Sequence, residues 1–185
     1  MKSFFSYFGG AIAVSILLWY AWRIWKKRVE PQSSASWLMW TLLDAVILTC
    51  TIAAHKSLWL PLGYVIGALA VTLALFARGT WQWRGTETTC AIGVVVATTI
   101  WLTWSAAYGI LAGVVAMTFA GAPLCLNLIR NPVRKTWPVW FFTAVACFFT
   151  LLGSDWSFAG TVLAWGGVAF DGGLTLVVLR PIKRS

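Results

Sequence analysis

Two carboxylates, Asp44 and Asp171, are set deep inside long apolar runs. An ionised side chain at the centre of a bilayer costs at least about 2.5 kcal/mol on insertion scales, so it faces a partner, a cavity or a pathway. One such residue in each half of the chain points to a polar site near the membrane midplane. A site of that kind binds a polar solute or takes up a proton. Trp37, Trp40 and Asp44 stand at i, i+3 and i+7 and so share one helix face. At 1.5 Å per residue, Asp44 lies roughly 10 Å deeper than Trp37. A flat aromatic wall leading to an acidic group suits a solute that is part ring and part hydroxyl, and it suits a cation too.

One hundred residues further on, Trp137 and Trp140 repeat the two tryptophans, with Ala144 in the acidic position. The expected site is therefore asymmetric. Trp165 falls near the centre of the last apolar run, where an interface belt does not account for it. Most of the 14 tryptophans lie near the ends of apolar runs. Amphipathic rings gather there in interface belts, so belt and pocket readings both stand for Trp37, Trp40, Trp137 and Trp140.

Asp171 is nine residues before Arg180, roughly 13 Å in from the end of its helix. Gly166, Gly167, Gly172 and Gly173 flank it and thin the helix for close approach. Two readings stay open: pairing with Arg23 or a backbone amide to fix packing, or facing a central pathway. Asn127 is a candidate gate or an interhelical hydrogen bond. Pro123 and Pro138 remove backbone donors inside or at the start of apolar runs and are candidate hinges. Glu87 and Asp155 read as loop charges.

The elements that position these residues follow from composition. The chain of 185 residues is 60% hydrophobic and 10% charged, a profile of integral membrane proteins. Seven apolar segments run over Phe4–Trp25, Ser36–Ala54, Leu58–Ala77, Thr89–Ser105, Ala107–Ile129, Trp137–Leu152 and Trp156–Leu179. A helix needs roughly 20 residues to cross roughly 30 Å of hydrocarbon. Seven all-α spans leave no room for a soluble domain. Ala11-Ile12-Ala13 looks like a signal-peptide cleavage triplet, but the apolar run continues to Trp25, which fits an uncleaved first span.

The net charge of +9 follows topology rather than nucleic-acid binding. With seven spans, twelve of the fourteen basic residues share one face, among them Arg23, Lys27, Arg78, Arg130, Arg134 and Arg180; Lys2 and Lys56 take the other. That bias sets the N-terminus outside and the C-terminus in the cytoplasm. Short loops and small size fit a bacterial inner membrane. Cys50, Cys90, Cys125 and Cys147 lie in apolar runs and read as free, packed thiols. Without a CxxC and with His55 the single histidine, no metal site or cofactor is expected.

Shifted by 100 residues, segments one to three overlie segments five to seven. Gly9 matches Gly109, Trp37 matches Trp137, Trp40 matches Trp140 and Gly67 matches Gly167. Three crossings end a repeat opposite its start, so the fourth segment lets the second repeat run parallel to the first. The organisation expected is a repeat over 1–86, a linker helix over 87–106 and a second repeat over 107–185. This layout resembles the SWEET and PQ-loop superfamily of small seven-helix transporters. Ala122-Pro123-Leu124, then Arg130-Asn131-Pro132 and Thr136-Trp137, are similar to a PQ-loop without its glutamine; the first repeat has Arg23 where the proline falls. Trp37-Leu-Met-Trp40-Thr-Leu-Leu-Asp44 resembles the WxxWxxxN stretch of nicotinamide-riboside carriers, with Asp for Asn. The resemblance implies alternating access, one bundle rocking against the other around a small polar or aromatic solute such as a sugar, nucleoside or vitamin.

Other classes fit less well. A retinal protein needs a lysine in the last helix, and 156–179 has none. Two carboxylates could do acid-base work in an intramembrane enzyme, but no nucleophile-histidine pair, HExxH or glycine-rich phosphate loop is present. A non-transporting scaffold or receptor of PQ-loop type stays open. The expected partners are a small solute and the bilayer, not nucleic acid, and a homo-oligomer is compatible with this frame.

Overall fold

Seven α-helices follow the seven apolar runs closely, as the computed structural model shows: α1 Lys2–Trp25, α2 Ser34–Ala53, α3 Trp59–Phe76, α4 Gly85–Thr103, α5 Ala106–Arg130, α6 Trp137–Leu152 and α7 Phe158–Leu179. The described residues are 2–29, 33–83, 85–130 and 134–180, apart from the side chains of Thr86, Ala120, Ala122, Pro123, Leu124, Leu126, Asn127, Arg130 and Arg134. Among them there is no strand. Four helices (α1, α2, α3 and α7) are long and apolar enough to cross a membrane, while α4, α5 and α6 carry shorter apolar stretches.

Local chemistry sets the helix ends. Ser33 caps α2 by accepting from the Ser36 N–H, and Ser157 caps α7 by accepting from the Gly160 N–H. Each satisfies one of the free N–H groups of a first turn. The helices α1, α2 and α3 close in the same way. Lys27, His55 and Gly79 adopt positive φ, and the next N–H reaches back five residues: Arg28 to Arg23, Lys56 to Thr51 and Thr80 to Leu75. These are Schellman ends, and two of the three place a side chain where glycine is preferred. Pro138 falls in the first turn of α6, where no helical hydrogen bond is interrupted. The helix α5 runs unbroken past position 123.

Helix packing forms a closed ring. The helix α1 packs on α3 and α6; α2 packs on α3 and α5; α7 packs on α5 and α6; and α4 lies outside the ring against α2 and α5. The cyclic order is thus α1, α3, α2, α5, α7, α6. Glycine makes the seams close. A methyl group at Gly9 would strike Thr150 and the Ala146 carbonyl on α6, and one at Gly109 would strike Cys50 on α2. Gly63 and Gly67 both press on α1, through Gly10 and Leu17, and Gly113 presses on Ile47. Small residues at such seams let helix backbones approach closely. All four cysteines are free thiols.

The outer surface is apolar along the length of the helices, with Leu18, Leu73, Val95, Leu102, Phe119 and Leu176 exposed. Most exposed tryptophans stand near helix ends, among them Trp25 on α1, Trp59 on α3, Trp104 after α4 and Trp156 before α7, while Trp165 is exposed midway along α7. The ring positions at the ends match an interface-belt pattern.

Candidate functional site

The helix α2 starts one turn before Trp37, so Trp37, Trp40 and Asp44 run inward along one face, Asp44 reaching the middle of the helix. The Trp37 and Trp40 rings meet edge to face at 5.4 Å. Across the ring, α6 presents Val139, Trp140 and Thr143, and α7 presents Leu163, Gly166, Gly167, Phe170 and Asp171. These residues line one cavity of about 100 Å³. Leu17 of α1, Tyr64 and Ala68 of α3, and Val114, Met117 and Thr118 of α5 complete it. Every helix of the ring contributes; α4 does not.

The two carboxyl groups differ in their surroundings. Asp171 is 9% exposed and accepts from the Tyr64 hydroxyl at 3.4 Å. The Thr143 side chain also interacts with it. Tyr64 in turn shares a hydrogen bond of 2.9 Å with the Cys147 sulfur, so thiol, phenol and carboxyl form a chain across α6, α3 and α7. Asp44 is 4% exposed, and its Oδ1 has no hydrogen-bond partner among the described residues. The indole N–H groups of Trp40 and Trp140 are likewise unpartnered; the Cys90 thiol approaches Trp40 without closing a bond that meets hydrogen-bond geometry. The carboxyls are near enough to repel when both are ionised. Among the described residues, no lysine, arginine or histidine lines the cavity.

Of the residues singled out from the sequence, the structure brings Trp37, Trp40, Asp44, Trp140 and Asp171 together. It does not bring Trp137 or Trp165. The helix α6 begins at Trp137, which is exposed and leans on Phe141. Trp165 is 54% exposed; at about 100° per residue it falls on the side of α7 away from Leu163, Gly167 and Asp171. The side chains of Asn127 and Pro123 lie outside the described residues. Arg23 does not pair with Asp171; it donates to the Lys135 carbonyl at 3.5 Å and lies over the Trp19 ring.

Of the two expected loop charges, Glu87 turns out to be helical and buried, while Asp155 does lie in a loop and carries an ion pair. Glu87 is 1% exposed in the first turn of α4 and accepts from the Ser36 hydroxyl, tying α4 to α2. Asp155 pairs with Lys56 at 2.5 Å, joining the α6–α7 loop to the α2–α3 loop. Lys56, and then Ser157, hold the Asp155 carboxyl below the usual carboxylate range.

Sequence reasoning missed Tyr64, Thr143 and Met117. Thr143 is three residues after Trp140 and so on its face, which i+3 spacing reveals and i+7 spacing from Trp137 does not. Tyr64 had a weaker signal, a polar tip beside Gly63 within an apolar run. Comparison of the chain with protein-family models, curated proteins and solved structures returns no match. The reading of the site rests on its own geometry.

Proposed function

We propose that the protein is an integral membrane carrier that moves a small polar or aromatic solute by alternating access. In this reading all seven helices cross the bilayer, with α1–α3 and α5–α7 as parallel units joined by α4, as in the SWEET type. The N-terminus is outside and the C-terminus cytoplasmic, in a bacterial inner membrane. The carrying observation is the cavity itself: Asp44 and Asp171 line one chamber walled by both units, and Asp44 Oδ1 is buried without a partner.

Three further features support it. Relabelling α1, α2 and α3 as α5, α6 and α7, and the reverse, leaves the ring contacts unchanged. Gly9 against Thr150 and Gly109 against Cys50 are the same contact under that exchange. The Lys56–Asp155 bridge joins the α2–α3 loop to the α6–α7 loop; in the proposed topology it is a latch on the outer side that would open with the chamber. Trp37, Trp40 and Trp140 wall the solute, Asp44 accepts its hydrogen bonds, and Asp171 carries either solute contacts or a proton.

Purified protein reconstituted into liposomes tests the proposal against a panel of radiolabelled sugars, nucleosides, vitamins and amines. Saturable uptake that falls in both Asp44→Asn and Asp171→Asn supports it. Absence of flux across the panel would favour a non-transporting membrane scaffold.

A further inference from the structure

We propose that the solute of this cavity is a small organic ammonium ion, held by Asp44 and walled by indole rings. The inference rests on the carrier reading of the same site and narrows it to one chemical class.

Charge decides first. Among the described residues, two carboxyl groups and no cationic side chain line the chamber, which disfavours any anion. Asp171 already accepts from Tyr64, whereas Asp44 is 4% exposed with an oxygen unpartnered. A buried acceptor of that kind is expensive until a donor or a cation reaches it.

The walls decide next. Trp37, Trp40, Trp140 and Phe170 line the space, and a desolvated cation is attracted to aromatic rings of this kind. Metal cations fit poorly. Calcium takes six to eight oxygen ligands, and most of this lining is carbon. A neutral polyol fits poorly as well, because its hydroxyl groups would meet apolar side chains and stay unpaired. The spare donors of the lining are the Trp40 and Trp140 indole N–H groups, enough for one oxygen on the same molecule. Size sets the scale. A cavity of about 150 Å³ takes benzene, so about 100 Å³ here suits an ammonium ion with a short carbon chain.

Calorimetric titration of purified protein in detergent tests this with two probes of one shape, n-butylammonium and 1-butanol. Butylammonium should bind at least about tenfold more tightly than butanol, and tetramethylammonium should displace it. In Asp44→Asn the preference should shrink to about twofold or less, the carboxylate being its main source. Equal binding of the two probes to the wild-type protein overturns the proposal, as does a preference that survives in a folded Asp44→Asn. If that variant does not fold, the wild-type ratio and the displacement decide. Butylammonium binding without flux in liposomes would leave the ammonium site standing and sink the carrier reading. Saturable flux of a neutral solute with no ammonium preference would do the reverse.

Discussion

The two three-helix units share a frame and differ in what they offer the cavity. The first places its acid on α2, at Asp44, and its phenol on α3, at Tyr64. The second places a threonine on α6, at Thr143, and its acid on α7, at Asp171. Shifted by 100 residues, Asp44 corresponds to Ala144 and Asp171 to Val71, so neither acid has an acidic counterpart. The seam contacts at Gly9 and Gly109 do correspond, whereas Gly67 meets Leu17 of α1 and Gly167 meets Cys147 of α6, which do not. Part of the packing follows the proposed repeat, and the acids of the chamber do not.

The largest expected effect separates the two acids. Asp44→Asn should cut uptake at least ~30-fold, the lower end of the 2–5 kcal/mol lost when a desolvated charge loses its partner. Asp171→Asn should cost less, about tenfold, because Tyr64 and Thr143 can still bond an amide. Adding Ala144→Asp to Asp44→Asn should restore nothing, since position 144 does not line the cavity. Initial uptake rates in liposomes check all three, and rescue by Ala144→Asp would restore the symmetry argued against above.

The seams should behave alike in kind and differ in degree. Gly9→Ala and Gly109→Ala should each destabilise by about 1–3 kcal/mol through overpacking. The loss should be greater at Gly9, which meets the Ala146 carbonyl and the Thr150 backbone, whereas Gly109 meets the Cys50 and Trp101 side chains. Thermal unfolding in detergent measures this, and a neutral Gly9→Ala would contradict the close α1–α6 contact.

Within the chamber, Trp40→Phe and Trp140→Phe remove N–H groups that the fold leaves unpaired. Each should weaken solute binding by about three- to tenfold, one hydrogen bond's worth, without lowering stability. Trp165→Phe, on the outward face, should leave affinity unchanged. Binding titrations rank the three, and an effect at Trp165 equal to that at Trp140 would place the site elsewhere.

The smallest effect lies in the latch. The Asp155 side chain is 50% exposed, so the bridge is worth under about 1 kcal/mol and weakens in salt. Its carboxyl is held below the usual range. Its contribution is therefore complete above about pH 4 and lost as pH falls through the depressed value. Lys56→Ala should shrink that acid-side dependence to the part that Ser157 sustains, with little change at neutral pH, as read by thermal unfolding across pH.

Much of this was legible in the sequence. Hydropathy gave seven helices to within a few residues at most ends, because most are apolar runs between basic or glycine-bearing turns, the Trp104-Ser105 junction of α4 and α5 being the exception. The i, i+3, i+7 spacing gave the Trp37, Trp40 and Asp44 face, since helix geometry alone fixes it. Trp165 was not legible that way: a central position says how deep a residue lies, not which side of its helix it takes. Glu87 read as a loop charge because its partner, Ser36, is 51 residues away. Tyr64 joined the site through α3 packing between α1 and α2, which no local pattern announces.

Access to the chamber tests the central claim most directly. In a background with Cys50, Cys90, Cys125 and Cys147 replaced by alanine, Thr143→Cys places a single thiol on the cavity wall beside Asp171. A membrane-impermeant thiol reagent applied to sealed vesicles of either orientation should modify it from both sides, and saturating solute should slow the reaction. Labelling from neither side, or from one side alone under every condition, would contradict a chamber that opens alternately across the membrane.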